Sequence, residues 1–129
     1  MARHDRAGRV RILIADDNPQ VRAALRTFLS THPDFEVAGE AADASTALRL
    51  ARTYPPDVAL VDILLPAAVD GLTVLRTLTS ELAVPAVAFS IDGGVGDSAL
   101  AAGACRFLEK DGSPERLVAA LNAAAVRHA

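Results

Sequence analysis

The chain has a single cysteine among its 129 residues, Cys105, so no disulfide can form within it. That cysteine reads as a small buried hydrophobe. Tryptophan is absent and aromatic residues make up only 4% of the chain, which excludes a core built on aromatic clusters. Hydrophobic residues still reach 51%, much of it alanine, a composition suited to helices packed closely on a sheet. A basic excess is also missing: the formal net charge is −3 and the pI about 5.5. Direct nucleic-acid binding normally leaves a basic footprint, so none is expected here. No apolar run approaches a membrane span, because Asp62, Pro66 and Pro85 interrupt them. Met1 to Arg9 is polar and lacks the apolar centre of a signal peptide. A soluble, cytoplasmic protein without membrane contact is therefore expected. His4, His32 and His128 are scattered without metal-ligand spacing and read as surface residues.

What is present is alternation. Val10 to Ala15, Phe35 to Gly39, Val58 to Asp62, Ala86 to Ser90 and Arg106 to Leu108 read as strands. The continuous apolar runs among them are typical of parallel strands covered on both faces. Between them lie helical patterns. Asn18-Pro19 opens the first, with proline at the first helical position, and Val21, Leu25, Phe28 and Leu29 form its inward stripe, with Arg22 and Arg26 on the other side. Asp43 or Ser45 caps the second, whose inward side is Ala44, Ala47, Leu48, Ala51 and Tyr54. Asp70-Gly71 precedes the third, where Leu72, Leu75, Leu78 and Leu82 face inward. The fourth is short, Asp97 to Ala102. Ser113-Pro114-Glu115 opens the fifth, which buries Leu117, Val118, Leu121, Ala124 and Ala125. Five β-α units with right-handed crossovers make a doubly wound parallel α/β sheet. Periodicity alone does not fix the strand order. In the order 2-1-3-4-5 the switch point falls between strands one and three.

Two apolar strands stop at acids: Ile12-Leu13-Ile14-Ala15 at Asp16-Asp17, and Val58-Ala59-Leu60-Val61 at Asp62. Asp16 and Asp17 taken alone also fit loop acids that cap the first helix. Ser90 ends strand four and Lys110 follows strand five; singly, these fit a turn residue and a solvated charge. Together they place acids, an acid, a hydroxyl and an amine at the carboxyl ends of four different strands. Two carboxylates about 4 Å apart repel by roughly 4 kcal/mol at an effective dielectric near 20, so three need a cation. An oxygen-only ligand set with room for water suits Mg²⁺. With Lys110 and a hydroxyl added, the set fits a phosphoryl group, and Asp62 is the natural nucleophile.

Asp16-Asp17, Asp62 with Pro66 four residues on, Asp70-Gly71, Ser90, Gly103-Ala104 and Phe107-Leu108-Glu109-Lys110 together resemble the receiver domain of two-component response regulators. The resemblance runs from about Val10 to Val126. It implies a flavodoxin-like fold with strand order 2-1-3-4-5, a polar extension over 1–9 and a receiver domain over 10–129. By the same resemblance Asp62 accepts phosphate from a histidine kinase or phosphotransfer protein. Asp17 ligates Mg²⁺ directly, Asp16 through water, and the Leu64 backbone carbonyl completes the protein ligands. Lys110 pairs with Asp62 and then with the phosphoryl group. Ser90 hydrogen-bonds that group, and Phe107 is either the aromatic that turns inward with it or a plain core residue. Lys110-Asp111-Gly112-Ser113-Pro114-Glu115 resembles receivers attached to helix-turn-helix transcription regulators.

The sequence also departs from the family pattern. One extra residue lies between Asp62 and Asp70-Gly71, within Ala67 to Val69. Branched Ile91 follows Ser90 where the family usually has Ala or Gly, so slower phosphorylation or hydrolysis is expected. The stretch from Ser90 to Gly103 is short and glycine-rich, which predicts a short, mobile fourth helix on the face, made by helix four, strand five and helix five, through which receivers dimerise. The resemblance implies a phosphoacceptor signalling domain and not an enzyme. Two alternatives stay open: a degenerate receiver acting as an unphosphorylated interaction domain, and a Mg²⁺-dependent aspartyl-phosphate hydrolase. Against the hydrolase, the second acid such enzymes need two residues after the nucleophile is Leu64 here.

Overall fold

A computed structural model describes residues 8–65, 68–91, 93–110 and 113–126. The strands are β1 (Val10–Ala15), β2 (Phe35–Ala41), β3 (Val58–Asp62), β4 (Ala86–Ser90) and β5 (Arg106–Glu109). The helices are α1 (Pro19–Thr31), α2 (Ala44–Thr53), α3 (Ala68–Arg76), α4 (Gly96–Ala101) and α5 (Pro114–Val126). All strand pairs are parallel and the order is β2-β1-β3-β4-β5. This is the doubly wound, flavodoxin-like arrangement that the sequence predicts.

Side-chain alternation divides the core in two. Ile12, Ile14, Val58, Leu60, Val87 and Phe89 point to the face covered by α1 and α5. Leu13, Ala15, Ala59, Val61, Ala86 and Ala88 point to the face covered by α2, α3 and α4. Alanine is concentrated on the second face, and that lets three helices sit close to the sheet. Each fully buried Val, Leu or Ile contributes about 1.5–3 kcal/mol relative to exposure, so the three central strands carry most of the hydrophobic stabilisation.

The helix starts follow local chemistry. Asn18 caps α1: its Oδ1 accepts from the N–H groups of Gln20 (2.9 Å) and Val21 (3.2 Å), and Pro19 occupies the first turn. Asp43, not Ser45, caps α2 through Thr46 N–H at 2.8 Å. That backbone hydrogen bond holds the Asp43 carboxyl below its ordinary pKa.

Several expectations are corrected. Tyr54 is 63% exposed, because the chain leaves helical geometry there (φ −133°, ψ 78°) and its side chain leaves the inward stripe. In α1 only Leu29 is fully buried; Val21, Leu25 and Phe28 are partly covered. Cys105 is half-buried. α3 begins at Ala68, so Asp70 and Gly71 lie inside it. Val74, not Leu72, joins Leu75 and Leu78 as a fully buried residue, and Leu82 is only partly covered. The extra residue is expected within Ala67 to Val69; Ala68 and Val69 belong to α3, while Ala67 lies outside the described residues, as do Pro66, Asp111, Gly112, Arg127 and His128. α4 is short, as expected, six residues preceded by a 3₁₀ turn over Gly93–Val95. α3 continues into a π turn over Thr77–Glu81, which no sequence signal announced.

Candidate functional site

β1 and β3 are adjacent in the sheet, yet the chain leaves β1 toward α1 on one face and β3 toward α3 on the other. The crevice this opens at the strands' carboxyl ends is where open α/β sheets bind ligands. Asp16 and Asp17 follow β1 there, and Asp62 is the last residue of β3. One carboxylate oxygen from each lies within 4.8 Å of the others. Asp16 is fully buried, Asp62 buried and Asp17 exposed.

Lys110 closes the group from the end of β5. Its Nζ donates to Asp16 Oδ2 at 2.8 Å and to Asp62 Oδ2 at 3.0 Å, so it pairs with both acids and not with Asp62 alone. Burial by itself pulls the Lys110 ammonium down, but the hydrogen bonds and charges of Asp16 and Asp62 outweigh it and raise its pKa above the ordinary value. The same ammonium lies 4.5 Å from the centre of the Phe89 ring, a favourable cation–π distance.

The other oxygens are fixed by backbone. Asp16 Oδ1 accepts from Asn18 N–H at 2.8 Å, and Asp62 Oδ1 accepts from Leu64 N–H at 3.0 Å. The Leu64 peptide is thus tied to the carboxylate it follows. Ser90 is fully buried at the end of β4, and its carbonyl accepts Lys110 N–H at 2.9 Å. Phe107 lies opposite Ala88 in register, on the same face of the sheet as Ser90, half-buried beside the first residue of α4, Gly96. Ile91 is 76% exposed.

Two residues of the site have no counterpart in the spacing pattern. Phe89 packs under Lys110. Arg22, read as facing away, folds back so that its guanidinium donates to the Asp16 carbonyl at 2.7 Å, with Glu40 at 3.9 Å. A basic residue in the first turn after an acidic pair is the one signal available for Arg22.

The acids outnumber the single ammonium, and every donor atom facing the crevice from them is a carboxylate oxygen. Such a set fits a hard divalent cation.

These features define a doubly wound α/β domain with a carboxylate–lysine site at its switch point. The chain belongs to the response regulator receiver domain family, whose model matches residues 12–122. It is 35% identical over 118 residues to the transcriptional regulatory protein LiaR of Bacillus subtilis, covering 89% of this chain and 56% of LiaR. It is 40% identical over 114 residues to a protein-glutamate methylesterase/protein-glutamine glutaminase of Cereibacter sphaeroides, covering 85% of this chain and 31% of that protein. Among solved structures, a LuxR-family two-component response regulator from Aurantimonas superposes with a TM-score of 0.83 at 31% identity, covering 92% of this chain and 86% of that one. The chain thus spans about a third to somewhat over half the length of these curated relatives.

One expectation is corrected by these relatives. The resemblance to receivers was read as marking a protein that is not an enzyme. Several relatives are by name methylesterases and glutaminases that share this region, so a receiver match does not separate enzymes from non-enzymes. No helix among the described residues is long and apolar enough to cross a membrane.

Proposed function

We propose that this chain is a phosphoacceptor switch: Asp62 takes a phosphoryl group from a histidine kinase or phosphotransfer protein, and the change alters protein contacts. The observation that carries this reading is the Asp16–Lys110–Asp62 bridge at the switch point. In the transfer an Asp62 oxygen attacks phosphorus, the P–N bond of a phosphohistidine protonated on its other ring nitrogen breaks, and the imidazole takes the bonding pair and leaves as the neutral base. The product is an acyl phosphate. Lys110, which already pairs with Asp62, would neutralise phosphoryl oxygens.

Asp16, Asp17, Asp62 and the Leu64 carbonyl would hold Mg²⁺, with exposed Asp17 as the direct ligand and Asp16, whose oxygens are both engaged, acting through water. When bound, the ion supplies the further positive charge that phosphoryl oxygens need. Ser90 would hydrogen-bond the phosphoryl group, with Phe107 following that movement on the same face of the sheet. Ile91, adjoining Ser90, would limit access. A groove of about 660 Å³ between α1 and α5, lined by Val21, Leu25, Phe28, Phe89 and Leu117, runs up to Lys110 and would receive the donor. Self-association through the α4-β5-α5 face, a cytoplasmic setting, a receiver unit over 10–129 and control of transcription complete the reading. The likeness to LiaR supports the last of these.

Incubation with a small phosphodonor tests it by intact mass. A single phosphoryl adduct that requires Mg²⁺ and is lost in Asp62→Ala is expected. Absence of an adduct together with absence of Mg²⁺ binding would support an unphosphorylated interaction domain, and rapid turnover of many phosphate esters would support a hydrolase.

A further inference from the structure

Asp62-Ile63-Leu64 is held from two sides. On one side Ile63 N–H donates to the Phe89 carbonyl of β4 at 3.1 Å. On the other side the backbone of α3 presses on Ile63 itself. Gly71 is buried there, and a Cβ built on it would overlap the Ile63 carbonyl and lie 2.6 Å from its Cα. The obstacle is backbone, which cannot rotate away as a side chain can. Gly39 is the contrast, since a Cβ there meets only the Leu13 and Leu50 side chains at 3.5 Å, ordinary contact. Glycine is a poor helix former, so its place within α3 is explained by this close approach.

We infer that Gly71 is a positioning residue for the phosphoacceptor. By letting α3 rest directly on Ile63, it fixes the Ile63–Leu64 peptide, whose N–H holds Asp62 Oδ1 at 3.0 Å. A methyl group at 71 must lift α3 or displace the Ile63 carbonyl. Either movement turns the Ile63–Leu64 peptide, and with it the Leu64 N–H, and so shifts the Leu64 carbonyl that follows. The inference rests on the phosphoacceptor reading for its consequence.

Gly71→Ala, Gly39→Ala and Leu29→Ala are compared with wild type. Leu29 is fully buried in the opposite core layer, so its truncation supplies a destabilised protein with an undisturbed site. Hydrogen exchange at the Leu64 amide is read without metal, and Mg²⁺ affinity by titration. Gly71→Ala should speed Leu64 exchange and weaken Mg²⁺ by about tenfold or more, the usual size of an outer-shell effect. Both controls should keep the wild-type affinity, since neither residue touches Ile63 or Leu64. Wild-type exchange and affinity in Gly71→Ala, or equal losses in Leu29→Ala, overturn the inference. If wild type itself takes neither Mg²⁺ nor phosphate, the phosphoacceptor reading falls, while metal-free exchange at Leu64 still decides whether Gly71 positions that peptide. Should Gly71→Ala not fold, wild-type exchange decides. Mg²⁺ must then slow exchange across Gly71–Leu75 as well as at Leu64, and an unaffected α3 overturns the inference.

Discussion

Lys110 is the residue on which the resting site depends. Its side chain is 17% exposed and touches two buried acids. Truncation leaves Asp16 and Asp62 buried without their cation, which typically costs about 3–5 kcal/mol. Lys110→Met is therefore expected to lower the denaturation midpoint sharply in metal-free buffer, with Mg²⁺ restoring part of the loss. The pH dependence has a definite sign. The folded ammonium is raised above the ordinary 10.5, so its contribution is full below that pH and disappears as pH climbs through the folded value. Denaturant midpoints taken across the alkaline range should fall in wild type and stay flatter in Lys110→Met. Asp16, Asp17, Asp62, Ser90 and Lys110 are legible in the sequence because an abrupt end to an apolar run marks a strand's end. Arg22 is not legible, since a long side chain that folds back over a turn is placed by tertiary contacts with Asp16 and Glu40.

At the scale of elements, the stops and joints matter most. Gly103 ends the turn after α4 with φ of +112°, and a Cβ there would strike the Thr79 hydroxyl of the π turn. Backbone strain of this kind costs on the order of 1–3 kcal/mol. Gly103→Ala should lower stability by at least that much in equilibrium unfolding, and a change within a few tenths of a kcal/mol would show that the joint between α3 and β5 is looser than described. The loop after β4 carries a kinetic prediction. Ile91 is exposed and adjoins buried Ser90, so Ile91→Ala should speed phosphorylation by a small donor, loss of the adduct, or both. Rates no faster than wild type would remove Ile91 as a gate. Element existence was readable from periodicity, and Asn18 and Asp43 announced their helices through cap chemistry. The start of α3 was not readable, because Gly71 signals a loop to propensity and is retained for its close approach to Ile63.

For the whole molecule, the strand order brings acids from separate strands to one crevice, and no periodicity could supply that order; the family resemblance did. The alternation of large and small residues on β1, β3 and β4 then explains which helices cover which face. Carboxylates gathered by folding are dispersed by unfolding, so Mg²⁺ should bind the folded state selectively. At about a hundred times its dissociation constant that linkage adds about 2.7 kcal/mol, visible as a Mg²⁺-dependent rise in melting temperature that Asp17→Asn reduces. An equal rise in Asp17→Asn would remove Asp17 from the ligand set.

The central claim is that Asp62 is the atom-level acceptor. It is tested most directly by phosphorylating the protein in Mg²⁺, reducing the product with borohydride and sequencing the peptides by mass spectrometry. Reduction of an aspartyl phosphate leaves homoserine, and it is expected at position 62 alone. Homoserine at Asp16 or Asp17, or phosphate retained on Ser90, would contradict the account.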